Sequence, residues 1–307
     1  GMMMGIGTLT TSIAPAIGPT YGGIISNSLD WRYIYIFLLP LVVISLVLGL
    51  ACLPREGAKT PKKLALRPVI ALSIMFFAFI SALSAEHLMT FALLFIVGLV
   101  GAFLFVQFNR KESLIDLGIL KNHRFVALIF SLLVYQALLL GLSFVLPSFI
   151  QVSAGFSSSV AGLFMFPGAL IGAVLAPITT GLILAALGLA LLFVFLPTKS
   201  LALLLVAHIV LMLGLGISYS NLMTCSLSTL ATDQLSDGNA LVNTLQQFIG
   251  AVATAVVATT LSIFQGLNGF KVGTSHGTSI ILALFFILII VSLIVSFPNL
   301  KKIRANH

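Results

Sequence analysis

Charged side chains are scarce in this sequence. Of its 307 residues only 7% are Asp, Glu, Lys or Arg, while 60% are hydrophobic. A soluble domain carries about 25% charged residues, because charged side chains cover much of the surface that faces water. The composition therefore excludes a soluble globule, and its high hydrophobicity also excludes a disordered chain.

Cysteine and acidic residues are few as well. Two cysteines, Cys52 and Cys225, cannot form a disulfide scaffold, and we interpret both as packing residues in or beside apolar runs. The seven acidic residues all fall between apolar runs, so no carboxylate pair is available there for acid–base catalysis. Motifs of zinc peptidases, serine hydrolases and phosphate-binding loops are missing. We predict that the protein is not an enzyme and uses no metal or cofactor.

Long apolar runs are abundant. A helix that crosses a bilayer needs about 20 apolar residues, and continuous rather than alternating runs favour helices over a barrel. We therefore expect an all-α polytopic membrane protein, a bundle of about ten transmembrane helices. The predicted spans are Met2–Ile25, Tyr33–Leu53, Pro68–Leu83, Leu88–Phe108, Phe125–Ile150, Ser158–Thr179, Gly181–Leu196, Leu201–Leu222, Asn239–Phe264 and Thr278–Phe297.

The basic residues are distributed unevenly among the predicted loops. With residue 1 at the cytoplasmic face, the loops 54–67 and 109–124 and the tail 299–307 hold twelve of the 15 Lys and Arg residues. This asymmetry satisfies the positive-inside rule, whereas joining the two runs that meet at Thr180 would place the basic tail outside. The net charge of +8 thus indicates orientation and contact with anionic lipid, not nucleic-acid binding.

The first span contains the string Gly18-Pro19-Thr20-Tyr21-Gly22-Gly23. Gly18 and Gly22 are four residues apart and form a smooth face that lets a neighbouring helix approach, and Pro19 bends the helix. The string resembles the antiporter motif in the fifth helix of drug:proton antiporters of the major facilitator superfamily. Trp31–Ile34 with Pro40, and the polar string Gly238–Gly250, resemble the sixth and thirteenth helices of its 14-helix branch of multidrug and lincomycin-type exporters.

This resemblance implies a domain organisation. Residues 1–53 would be the last two helices of the amino-terminal half, followed by a cytoplasmic basic loop at 54–67. Residues 68–108 would be an inserted helix pair and 109–124 a cytoplasmic linker. Residues 125–298 would be the six-helix carboxyl-terminal half, and 299–307 a cytoplasmic tail. Such halves rock about a central site in alternating access.

Three features depart from the family pattern. The chain begins at what would be the fifth helix, so we expect a fragment that lacks the first four helices and the acidic position of the first. The charged turn usual between helices ten and eleven is replaced by Thr179–Leu182. The polar residue usual before the sixth-helix proline is Leu38 or Leu39 here.

The ninth span carries a polar stripe. Asn239, Asn243, Gln247, Gly250 and Thr254 share one helix face, flanked by Gln246. Uncharged amides in a membrane need partners or water, so the stripe either makes interhelical hydrogen bonds or lines a substrate cavity. The full set of candidate cavity residues is Asn243, Gln246, Gln247, Gly250, Tyr135, Gln136, Tyr219 and Asn221.

His208 is the ionisable side chain that falls well inside a predicted span. Two interpretations stay open. It is a solvated or hydrogen-bonded histidine near the outer surface, or it is a proton-coupling site, because intramembrane ionisable groups are functional candidates and imidazole titrates near neutral pH.

The functional hypothesis is a multi-pass transporter of the cell membrane that exports drugs or other amphipathic small molecules, driven by a proton gradient. We expect membrane lipid and a small hydrophobic substrate as partners, and the sequence leaves the oligomeric state open. Two alternatives remain. One is a major facilitator transporter of another solute, such as a lipid, siderophore or metabolite. The other is a non-transporting membrane fragment.

Overall fold

The computed structural model describes residues 18–52, 65–85, 87–170 and 178–304. Within these ranges the chain forms ten α-helical segments and no strand, which confirms the predicted all-α class. The first segment, α1, covers 18–28. The others are α2 (Arg32–Cys52), α3 (Leu66–Leu83), α4 (Leu88–Lys111), α5 (His123–Ser148), α6 (Ser158–Leu170), α7 (Ile178–Phe195), α8 (Leu201–Leu227), α9 (Leu235–Asn268) and α10 (Phe270–Arg304).

Eight of these helices are long and apolar enough to cross a membrane. The two shorter segments of the described chain are α1 and α6, whose apolar part covers Ser158–Gly168. Most of the first predicted span and most of the basic loop lie outside the described residues. The helical bundle of about ten segments that the apolar runs predict is confirmed.

One predicted boundary is wrong. We expected a break between spans at Thr179–Gly181, but these residues belong to α7, which is helical from Ile178. A Cβ on Gly181 would stand 3.0 Å from a side-chain carbon of Ile217 in α8. Gly181 therefore packs as part of a helix against α8. The prediction failed because small residues occur both in turns and on packed helix faces.

The helices at the carboxyl end are longer than their apolar runs. The helix α9 begins at Leu235, ahead of the predicted span, and Gly269 alone separates it from α10. Gly269 has φ 75°, a left-handed conformation that favours glycine. Since Pro298 does not end α10, the first residues of the predicted tail are helical up to Arg304.

The hydrophobic core lies inside the bundle that the six helices α5 to α10 form. Large buried side chains such as Phe125, Leu142 and Phe285 fill it. Close helix approach accompanies this core, because Gly188 and Gly214 put α7 and α8 in backbone contact at Leu211 and Ala185. The six helices of the predicted carboxyl-terminal half thus share one continuous core.

The helices α3 and α4 form a hairpin that packs against α9. Gly98 and Gly101 of α4 receive Phe79 and Met75 of α3. The ring of Phe76 stacks on that of Phe248 with centroids 4.2 Å apart. Thr259 Oγ1, farther along α9, donates to the Leu83 carbonyl at 2.9 Å.

The segment between α4 and α5 is held by side-chain amides. Asn109 Oδ1 accepts from the Leu114 backbone N–H at 3.0 Å. Asn122 caps α5 and its Nδ2 donates to the Thr229 carbonyl at 2.9 Å. Asp237, in the first turn of α9, accepts from the Asp116 N–H at 3.1 Å. These contacts hold the segment before α5 against the carboxyl end of α8 and the first turn of α9.

Candidate functional site

Three helices bring two tyrosines and one glutamine together. The ring centroids of Tyr135 in α5 and Tyr219 in α8 are 4.9 Å apart. Gln246 of α9 donates from Nε2 to Tyr219 Oη at 3.4 Å. Tyr135 is 8% exposed and Gln246 only 4% exposed. We call these three residues the tyrosine–glutamine cluster.

A glycine explains how α9 reaches the cluster. Gly250 lies one helical turn beyond Gln246 and is buried against α5. A Cβ at this position would collide with Leu140 and would lie 3.4 Å from Gln136 Nε2. The absence of a side chain therefore lets α5 approach α9, which brings Gln136 to the edge of the cluster.

The remaining amides of the predicted stripe lie outside the cluster. Asn239, Asn243 and Gln247 are exposed on α9. Asn243 Nδ2 donates to the Asn239 carbonyl at 2.8 Å, one turn earlier. Asn221 likewise donates to its own helix, at the Ile217 carbonyl. The predicted stripe is thus divided into a buried part that contacts other helices and an exposed flank.

The cluster has polar groups but no charge. Apart from His208 the sequence of α8 contains no acidic or basic residue, and in α9 the one such residue is Asp237 in the first turn. In α5 they are His123 and Arg124 at its start. The site therefore offers aromatic faces, a hydroxyl and amide groups, which can bind a mostly apolar molecule through a few hydrogen bonds. Among the described residues, no three His, Cys, Asp or Glu side chains gather to hold a metal ion.

A second contact joins α1 to α6. Thr20 Oγ1 donates to the Gly162 carbonyl at 2.8 Å. Ser158 Oγ donates to the Gly23 carbonyl at 3.2 Å. A Cβ on Gly162 would stand 2.6 Å from the Pro19 carbonyl oxygen, and one on Gly23 would collide with the Ser158 carbonyl oxygen. Backbone touches backbone here because both glycines lack side chains.

The glycines that we expected to form this contact are not the ones that form it. A Cβ on Gly18 or Gly22 would meet nothing within 4 Å among the described residues. Gly23 makes the contact instead, since it lies about 100° around the helix from Gly22. Close helix packing is thus observed at Pro19 and Gly23, and among the described residues no atom lies against the face with Gly18 and Gly22.

His208 is fully buried, with 0% exposure. Its ring centre lies 5.1 Å from that of Phe164 in α6. Its Nε2 lies 2.8 Å from the point that a Cβ on Gly168 would occupy. Neither ring nitrogen has a hydrogen-bond partner among the described residues. The expectation that His208 is solvated or hydrogen-bonded is therefore wrong among the described residues, because α6 covers the ring and offers it no polar partner.

Some contacts of the site gave no signal in the sequence. Ser158 and Ser159 both donate to the Gly23 carbonyl, although they follow it by more than a hundred residues in the chain. The hydroxyls of Ser131 in α5 and Ser296 in α10, which are also far apart in the chain, are hydrogen-bonded to each other. Small residues at helical spacing are a general sign of helix packing, but they do not identify the partner helix.

The class of the protein follows from these features. Apolar helices of membrane-spanning length surround an uncharged aromatic and amide cluster, which is the architecture of a multi-pass membrane protein. The sequence model of the Major Facilitator Superfamily matches residues 1–255. The chain belongs to the Major Facilitator Superfamily, whose efflux members lie in the cell membrane.

Curated relatives agree with this family. The chain is 29% identical to the Lincomycin resistance protein LmrB of Listeria monocytogenes over 286 residues, which are 86% of this chain and 61% of that protein. It is 28% identical to LmrB of Bacillus subtilis, over 86% of this chain and 60% of that protein. The Multidrug efflux pump LfrA of Mycolicibacterium smegmatis is 25% identical over 82% of this chain and 54% of its own length. The chain thus spans about three fifths of the length of the LmrB relatives.

Proposed function

We propose that the chain contributes one wall of a proton-driven exporter of drugs or other hydrophobic small molecules. The observation that carries the proposal is the tyrosine–glutamine cluster, in which α5, α8 and α9 converge on an uncharged aromatic site. Asn243 and Gln247 lie exposed on the same helix, α9, and would extend the polar surface toward the opposite wall.

The chemistry of the cluster fits amphipathic substrates. The partly exposed ring of Tyr219, packed on the buried ring of Tyr135, provides flat apolar surface for an aromatic or fused-ring molecule. Such ring contacts are worth about 0.5–1.5 kcal/mol beyond buried area. The hydroxyl of Tyr219 and the amides of Gln246 and Gln136 would pair with a few polar groups of the substrate. The names of the relatives, lincomycin resistance proteins and a multidrug efflux pump, support drugs as the substrate class.

Alternating access would use the contact between α1 and α6. In the predicted domain organisation α1 belongs to the first half and α6 to the second. Their backbone contact at Gly23 and Gly162 would close the predicted outer side when the cluster is open to the cytoplasm. A proton gradient would supply the energy, and no cofactor is needed. The helix α2, in which no residue is buried, would face lipid.

Measuring drug binding tests directly whether the chain forms one wall of a drug-binding site. The chain is reconstituted in lipid nanodiscs, and the dissociation constant for ethidium, a fluorescent aromatic cation, is measured beside that for lincomycin. We expect Gln246→Ala and Tyr219→Ala each to weaken binding by about tenfold or more, because a buried partner is lost. The matched control is Gln265→Ala, which removes the same side chain from α9 but away from the cluster, where it donates to Thr274 at 2.8 Å.

Two outcomes would contradict the proposal. One is binding of neither compound, and the other is an equal loss of binding in Gln265→Ala and in the cluster variants. Ethidium flux into proteoliposomes under a pH gradient then separates a transporting chain from a binding wall that needs more of the transporter. Binding of lipid or siderophore probes but of no drug would favour another solute.

A further inference from the structure

His208 is buried in a way that costs free energy. A neutral imidazole has one donor and one acceptor nitrogen, and a buried polar atom without a partner loses the hydrogen bonds that it would make with water. Both nitrogens are without a partner among the described residues. If the side chain only filled space, leucine or phenylalanine would be more stable at this position, because neither has a polar atom that must leave water.

Among the described residues, the helices around His208 bring no ionisable group close enough to stabilise a charge on its ring. The helices α6 and α7 have no acidic or basic residue in their described ranges. In α5 the ionisable side chains are His123 and Arg124 at the start and Tyr135 in the tyrosine–glutamine cluster. In α9 there is Asp237 in the first turn. On α8 itself Tyr219 is eleven residues away, about 16 Å along the helix, and Cys225 is farther. An imidazolium at this place would therefore have no counter-charge.

The helix that covers His208 is also the helix that contacts α1. Gly162 faces α1, whereas Phe164 and Gly168 face the histidine. Gly162 and Phe164 differ by about 200° around α6, so α6 is sandwiched between α1 and α8. Pro167, next to Gly168, has no N–H for the carbonyl four residues earlier, and this is the point at which α6 bends most easily.

We propose that His208 is a proton-binding site that controls the position of α6 and, through it, the contact between α6 and α1. In the neutral state the ring packs on Phe164 and Gly168 and holds α6 against α1. Uptake of one proton gives an imidazolium with two donors and no acceptor. Water or a backbone carbonyl must then reach it, and α6 moves away from α8 and loosens from Gly23.

This inference deepens the proposed function, but its test needs neither drug nor transport. Spin labels are attached to Ser26→Cys and Ser157→Cys, which are exposed at the ends of α1 and α6, in a chain that also carries Cys52→Ala and Cys225→Ala. Dipolar broadening between the labels is recorded in nanodiscs at about pH 8 and about pH 4. The lower value lies well below the ordinary imidazole range, because burial without a counter-charge disfavours the imidazolium.

We expect strong broadening at the higher pH and at least a twofold loss of it at the lower pH. In His208→Gln the broadening should not depend on pH. In the matched control His276→Gln, which changes an exposed histidine of α10, the dependence should persist. Nitrogen-15 spectra of labelled histidine should show the His208 signal change from neutral to charged over the same interval.

Several results would overturn the inference. They are broadening that does not change with pH in the chain with His208, a pH dependence that survives in His208→Gln, and a His208 signal that stays neutral while the broadening changes. The first and third need no histidine variant, so a His208→Gln chain that fails to fold does not protect the proposal. Drug binding without any pH response would refute the role of His208 alone, whereas a pH response without drug binding would refute the proposed function alone.

Discussion

The two ends of the molecule are held in place by different means. The bundle of α5 to α10 contains a continuous core of large side chains, among them Phe125, Leu142 and Phe285. At the other end no residue of α2 is buried, and α1 contacts the bundle through Thr20, Gly23 and their partners in α6.

Because of this difference, the part of the molecule that provides most of the stability is not the part that is expected to move. A core of interdigitated side chains is stiff, because shifting one element disturbs many contacts at once. A backbone contact between glycines has few side chains to rearrange, and its hydrogen bonds can be exchanged for others. Apart from α6, whose position depends on His208, the bundle is therefore expected to behave as one rigid unit, and α1 as the part that moves against it.

The largest effect is expected inside the bundle. Gly214→Val places a branched side chain where Ala185 of α7 touches the backbone of α8. Overpacking costs about 1–3 kcal/mol, and here we expect the upper end of that range because backbone atoms cannot move aside. We expect a clear fall in the thermal unfolding midpoint, measured in detergent. Gly266→Val is the control, since a Cβ there meets nothing within 4 Å among the described residues. Equal falls in both variants would argue against a rigid α7–α8 pair.

A smaller effect on stability is expected where α1 meets α6. Gly23→Val should separate the two helices and remove the dipolar broadening between labels at residues 26 and 157, while the unfolding midpoint of the bundle changes little. Gly22→Val should leave the broadening intact, because Gly22 has open space around its Cα among the described residues. If Gly23→Val destabilised the bundle as much as Gly214→Val, the contrast between the two regions would be lost.

The smallest effect concerns the hairpin of α3 and α4. The stacked rings of Phe76 and Phe248 should couple by about 0.5–1.5 kcal/mol in a double-mutant cycle of the two alanine substitutions. The free energies are obtained from reversible unfolding in mixed micelles. A coupling free energy near zero would mean that the hairpin lies beside α9 without being attached to it.

The class of the fold could be predicted from the sequence, and the partners of individual side chains could not. Apolar runs of membrane length are a local property, so the predicted spans agree with α2 to α5 to within three residues and with α9 to within four. The helix α8 ends five residues later than predicted, and α10 extends eight residues before its predicted span and seven beyond it. The break at Thr180 was misplaced, because small residues occur both in turns and on packed helix faces.

The candidate site was only partly predictable for a related reason. Helical spacing placed Gln246 beside the polar stripe, yet its burial against Tyr219 depends on how close α5, α8 and α9 approach one another. That approach is set by Gly250 and Leu140. Similarly, position along α8 suggested that His208 lies near the outer surface, but Phe164 of another helix covers it.

The hairpin of α3 and α4 contacts α9 at two positions along the axis of that helix. Phe76 stacks on Phe248, and eleven residues later, about 16 Å along the axis, Thr259 bonds to Leu83 on nearly the same helix face. A helix fastened at two such points cannot roll about its axis unless α3 and α4 sweep through the surrounding acyl chains. The thickness and lateral pressure of the bilayer thereby enter the work of moving the helix that carries Gln246.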